Sequence, residues 1–166
     1  AERFNQSVNF DTSKVISMLS MFYSAEKFNQ PLNFDTSNVT DMSYMFRNTK
    51  SFNQALNFNT SNVKKMERIF AYSDNFNQPL NNWDVSKVTN MAGMFESSIF
   101  NQDLNNWNTS NVTDMSYMFS YATRFNQPLN FDTSKVTNMM SMFCNAYNFN
   151  QNISSWNFDN IINCDY

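Results

Sequence analysis

The sequence predicts an α/β repeat solenoid of seven coils, 24 to 25 residues each, every coil holding one short strand and one short helix. Three observations point there. A motif recurs at fixed spacing, a block inside it places its apolar residues on one helical face, and a second segment alternates apolar with polar residues.

The recurrence is set by an opening aromatic, Phe4, Phe28, Phe52, Phe76, Phe100, Phe125 and Phe149, each followed by Asn-Gln. The steps are 24 residues except for one of 25, so residues 1–166 form a single repeat array with no room for a second domain. Length varies at two places only. Leu32-Asn33-Phe34 stands where another unit has Leu104-Asn105-Asn106-Trp107, and the linker Glu96-Ser97-Ser98-Ile99 is one residue short. Both places are expected to be turns.

No length change falls inside Val-x-x-Met-x-x-Met-Phe. In that block Val112, Met115, Met118 and Phe119 lie at i, i+3, i+6 and i+7, the spacing of one α-helical face. Ser110 stands at the N-cap position and Asp114 near the positive helix end. A helix of about ten residues is marginal alone, so it needs the neighbouring coils. In the other half of the unit Leu32, Phe34 and Thr36 alternate with Asn33 and Asp35, the pattern of a half-buried strand beginning after Pro31.

Composition agrees with a ladder core. Of twelve Met, eleven fall on the two block positions, and of eighteen Phe, seventeen fall on three aromatic columns, so these residues are core and not ligand platforms. The Asn5 to Asn150 and Gln6 to Gln151 columns invite amide ladders that cap turns. With Gly93 the only glycine, turns needing φ > 0 fall largely to Asn. The net charge of −3 is scattered without a basic stripe, which disfavours nucleic acid, and no apolar run reaches the length of a membrane span. The sequence starts and stops inside a repeat and reads as a piece of a longer protein. A disulfide between Cys144 and Cys164 is left open.

The stretch from Phe76 to Met91, Phe-Asn-Gln-Pro-Leu-Asn-Asn-Trp-Asp-Val-Ser-Lys-Val-Thr-Asn-Met, resembles the bacterial surface protein repeat of about 26 residues, a domain of unknown function grouped with the BspA-like leucine-rich repeats. Such repeats occur in mycoplasmas, Listeria, lactobacilli and giant viruses. The resemblance implies a leucine-rich-repeat-like solenoid, a role in adhesion or protein interaction, and a cell-surface or extracellular location, with a virion surface as the alternative. It carries no lipobox or wall-sorting motif, so location rests on the resemblance alone.

No catalytic, cofactor-binding or metal-binding residue can be assigned. The chain has no histidine, which removes the commonest general base and zinc ligand. Asp11, Asp35, Asp84 and Asp132 share a column with Asn59, Asn108 and Asn157, so that column calls for a hydrogen-bond acceptor, not a charge. A row of Thr12, Thr36, Thr60, Thr109 and Thr133 is similar to the threonine rows of ice-binding solenoids but is broken by Val85. Partner contacts are expected at Tyr44 and Tyr117 on the helix flank, at Tyr72 and Tyr121 in the linkers, and on the strand face at Asn33, Asn57, Asn81, Asn105 and Asn130. The function expected is a non-enzymatic adhesion or interaction module for a protein or glycan. The alternative is an assembly element that stacks on neighbouring subunits through uncapped ends.

Overall fold

The computed structural model describes residues 2–163. A ribbon of single-residue parallel bridges runs through it: Ser17 to Asp41, Asp41 to Lys65, Lys65 to Asn90, Asn90 to Asp114, Asp114 to Asn138, and Asn138 to Asn163. Each bridge advances by one repeat, so successive coils lie in register.

The expected helix does not form. No helix occurs among the described residues, and the α/β solenoid with a helix in every coil is corrected to a stack of turn-built coils. In the second coil Met45, Arg47 and Thr49 donate their N–H groups to Met42, Tyr44 and Phe46 three residues back. The intervening amides of Met42, Tyr44, Phe46 and Asn48 donate instead to Lys65, Glu67, Ile69 and Ala71 of the next coil, at 2.8–3.0 Å. Overlapping turns thus alternate with cross-coil bonds, and every amide from Met42 to Thr49 finds an acceptor, Ser43 using the Asp41 side chain.

Two positions per coil make this path possible. Tyr44 and Asn48 have φ of +59° and +57°, each third in a four-residue turn, where a type II turn requires positive φ. The reversals return Val39, Met42, Met45 and Phe46 to the interior, all fully buried. A helix would bury the same residues, which is why the spacing reads as helical. Ser110 is accordingly no N-cap: it donates its N–H to Asn108 Oδ1 at 3.1 Å, and Asp114 Oδ1 accepts the N–H and hydroxyl of Ser116 at 2.9 and 2.7 Å.

The expected strand forms no ladder either. Leu32, Phe34 and Thr36 point inward and Asn33 and Asp35 outward, but residues 30–35 exchange no backbone–backbone hydrogen bond among the described residues. Rings hold this side together. Phe28 stacks on Phe52 with centroids 5.9 Å apart, Phe46 on Phe70 at 5.7 Å, and the two columns interlock through Phe46 and Phe52 at 4.4 Å. Stacked pairs of this kind add about 0.5–1.5 kcal/mol each beyond the area they bury.

Amides stitch the outside. Asn29 Oδ1 accepts the Asn53 N–H and the Gln54 side-chain amide, both at 3.0 Å, and Asn53 does the same for Asn77 and Gln78 at 3.0 and 3.1 Å. Where a unit carries the additional residue, Leu80-Asn81-Asn82-Trp83 closes a turn (Trp83 N to Leu80 O, 3.0 Å), as does Leu104 to Trp107. Trp107 Nε1 then donates to the Leu80 carbonyl of the coil before it at 3.1 Å.

Candidate functional site on the turn face

The turns that replace the helix bring two columns of left-handed residues toward the surface, all of them at least partly exposed except Gly93, which Arg68 covers. One runs Ser20, Tyr44, Arg68, Gly93, Tyr117 and Ser141; the other runs Ser24, Asn48, Tyr72, Ser97, Tyr121 and Asn145. All four candidate tyrosines fall here, with φ between +55° and +59°. Asn48 and Asn145 are the only Asn among these positions, against the expectation that Asn would serve most of them.

In the first four coils the side chains of this face are tied to one another. The Arg47 guanidinium lies between the Tyr23 and Tyr72 rings, 5.3 and 5.0 Å from their centroids, and Nη1 donates to the Tyr23 hydroxyl oxygen at 2.6 Å. The Tyr72 hydroxyl donates to Glu96 Oε1 at 2.8 Å, and Arg68 Nε to Glu96 Oε2 at 2.9 Å. The Tyr44 hydroxyl donates to Glu67 Oε1. Lys50 pairs with Glu26 at 2.9 Å.

These bonds set the protonation states. Burial first, then the Glu67 carboxylate, pushes the Tyr44 phenol up; for Tyr72 the bond to Glu96 leads and burial adds. Burial alone would favour loss of the Arg68 proton, but its bonds to Glu96 and Tyr44 outweigh burial and raise its pKa, so it stays a cation. Both phenols therefore remain neutral donors at physiological pH, and neither is a poised acid or base.

The other half of the face differs. The Tyr117 ring lies 6.0 Å below the Arg68 guanidinium, and its hydroxyl makes no hydrogen bond among the described residues. Tyr121 is 53% exposed and its hydroxyl likewise has no partner among them. Tyr147 is 79% exposed and donates its hydroxyl to Asn145 Oδ1 at 2.8 Å, next to the Tyr121 column.

The asparagine set lies on a separate segment of the coil. Asn33, Asn57, Asn81 and Asn130 are exposed and Asn105 is half-buried, its Oδ1 accepting the Asn130 N–H at 3.1 Å. The structure therefore gathers the tyrosines into one face and does not bring the asparagines to it. Tyr23 stands out in the sequence only as a linker tyrosine off the buried columns, and Arg47, Glu67, Arg68 and Glu96 do not stand out at all. Aligning the columns would have found part of the signal, because Tyr44, Arg68, Gly93 and Tyr117 occupy one position in four consecutive coils.

The remaining candidates resolve simply. Asp35 Oδ1 accepts the Ser37 N–H at 2.9 Å, and Asn59 does the same for Ser61 at 3.1 Å, so the Asp and Asn column caps turns. Thr36, Thr60, Thr109 and Thr133 are buried and donate to carbonyls of the next coil, so that row presents no surface to ice. Among the described residues no group of three or more Cys, Asp and Glu could hold a metal ion. Cys144 is half-buried, and Cys164 lies outside the described residues.

A helix-free stack of coils, with its aromatic columns inside and a patterned face of tyrosines and charges outside, defines a repeat protein. The chain belongs to the family described as Mycoplasma protein of unknown function, DUF285, which matches residues 1–58, 54–131 and 80–166. The resemblance seen in residues 76–91 agrees with that family, while the leucine-rich-repeat architecture it implied does not form. No curated protein and no solved structure matches the chain.

Proposed function

We propose that the chain is a non-enzymatic adhesion or interaction module, at a cell surface or outside the cell, that binds a protein or glycan partner through the turn face. The observation that carries this reading is the left-handed backbone at Tyr44, Tyr72, Tyr117 and Tyr121. Such a conformation costs about 1–3 kcal/mol at a residue other than Gly, and strain of that kind concentrates where function requires a particular side chain. Tyrosine also supplies a large apolar face with a polar tip, a frequent anchor at interfaces. Asparagine tolerates the same backbone. Replacing all four tyrosines by Asn should therefore leave folding intact and weaken retention on intact cells or cell-surface extracts; unchanged retention would remove the turn face as the site.

A second reading, assembly, rests on the end coils. Phe10, Ile16 and Leu19 of the first coil are 59%, 65% and 54% exposed, and an apolar recess of ≈ 430 Å³ lined by Met142, Phe143, Ile153, Trp156 and Phe158 opens at the other end. The backbone matches this pairing: among the described residues the Leu19, Met21 and Tyr23 carbonyls lack the donors that their counterparts have in later coils, and the Phe143 and Asn145 amides lack acceptors. A coil of a neighbouring copy would satisfy both. Sedimentation as a strict monomer at high concentration would count against assembly.

A further inference from the structure

The tyrosines of the turn face do not share one role. In coils two and three the strain at Tyr44 and Tyr72 is offset internally, since their hydroxyls bond Glu67 and Glu96 of the next coil, and Tyr23, whose φ is not positive, accepts from Arg47 of the next coil. At Tyr121 no such offset exists. Its φ is +55°, its side chain is largely exposed, and among the described residues neither its ring nor its hydroxyl has a partner.

Charge divides the face in the same way. The first four coils carry Glu26, Glu67, Asp74 and Glu96 on their turns and linkers, beside Arg47, Lys50 and Arg68. Residues 117–124 and 141–148 contain no carboxylate at all, and their single charge is Arg124. Arg124 is exposed and joins no ion pair among the described residues. The neighbouring coil stacks in place: Tyr121 N–H meets the Cys144 carbonyl at 2.7 Å, and Asn148 Nδ2 meets the Thr123 carbonyl at 2.6 Å. In the register these bonds set, Tyr147 is the counterpart of Thr123 one coil on, and its hydroxyl turns to Asn145, the counterpart of Tyr121.

We infer that Tyr121, Arg124 and Tyr147 form a contact surface for a protein partner that presents a carboxylate to Arg124 and apolar area to the two tyrosines. This deepens the proposed function and rests on it. A cation without an ion pair on the same segment as the exposed rings of Tyr121 and Tyr147 matches the composition of interface anchors, in which Tyr and Arg are enriched. Complementary charge would steer the encounter and make it salt-dependent.

The test uses the 166-residue chain with a random glutamate–tyrosine copolymer as probe, and poly-lysine and dextran sulfate as comparators. The chain should bind the copolymer, more weakly as salt rises. Y121G and R124Q should each weaken binding about ten-fold, the effect of losing one anchor residue, while K14Q, which removes an exposed cation in another coil, should not. Glycine accepts the Tyr121 backbone without strain, so Y121G should also melt about 2–4 °C higher. A lower melting temperature for Y121G would make Tyr121 a structural residue and overturn the proposal. So would binding of dextran sulfate alone, which would exchange the protein for an acidic glycan, or the absence of copolymer binding. If cell-surface retention survives Y121G and R124Q but falls with Y44N and Y72N, this placement fails while the turn face stands as the interaction surface.

Discussion

Arg68 lies across Gly93. A Cβ built on that glycine would sit 2.7 Å from Arg68 Cγ and 3.1 Å from Arg68 Nε, and the glycine has φ of +60°. The single glycine of the chain thus lets an arginine fold over the next coil to reach Glu96.

It follows that G93A should be destabilising for two separable reasons. Positive φ alone disfavours Ala by more than about 1 kcal/mol, and the clash at Arg68 Cγ adds to it. Urea unfolding of G93A, R68A and the double variant separates the two: R68A should recover the clash contribution and leave the backbone contribution in place.

Replacing Asn53 by Ala removes one oxygen that serves two donors, the Asn77 N–H and the Gln78 amide. The site is exposed, so water can take over part of the bonding, and the loss should be about 1 kcal/mol. N53D keeps the acceptor and should cost less by the same measurement.

Trp107 and the extra Asn belong together. With Asn105 and Asn106 turning the chain, the indole reaches the Leu80 carbonyl. W107F removes one of the two donors to that carbonyl, the Trp83 N–H remaining, and shrinks a buried side chain, and should cost about 1–2 kcal/mol. Deleting Asn106 as well recreates the Leu-Asn-Phe unit found at Leu32 to Phe34, and part of the stability should return.

The pH dependence is set in part by Asp11, Asp35, Asp84 and Asp132. In each, the hydrogen bonds from the following serine, Ser13, Ser37, Ser86 or Ser134, hold the carboxyl below the usual aspartate value. A carboxylate depressed in the folded state adds stability that is fully present above the unfolded value of 3.8 and is lost as pH falls through the lower folded value. The fourfold Asp→Asn variant keeps every acceptor, as Asn59 does for Ser61. Its melting temperature should lie slightly below the parent near neutrality, where the charge-assisted bonds are lost, and decline less in acid.

Much of this was legible from spacing alone. The repeat length, the inward columns of Met and Phe, the turn at Asn81-Asn82 and the acceptor column at Asp35 and Asn59 all sit where the sequence places them, because each is a repeated local choice. The helix was not legible as absent. Val39, Met42, Met45 and Phe46 satisfy helical spacing, and nothing in those four residues reports the left-handed backbone at Tyr44 and Asn48 that closes the turns. Asn48 is of the type expected to take positive φ, but Tyr44 is neither Gly nor Asn and carries no such signal. The tyrosines stand out as residues left over from the core, but which of them are fastened and which are free depends on Glu67, Glu96 and Arg47 arriving from other coils.

The division of amides within each coil, one donating inward to its own turn and the next outward to its neighbour, fixes a parity along the block from Met42 to Thr49. Slipping or inserting a single residue there would point every outward donor at the wrong atom and turn the methionines to water. Change of size is tolerated at the Asn-Asn turn and the linker, and otherwise the array can grow or shrink only by a whole coil at a time.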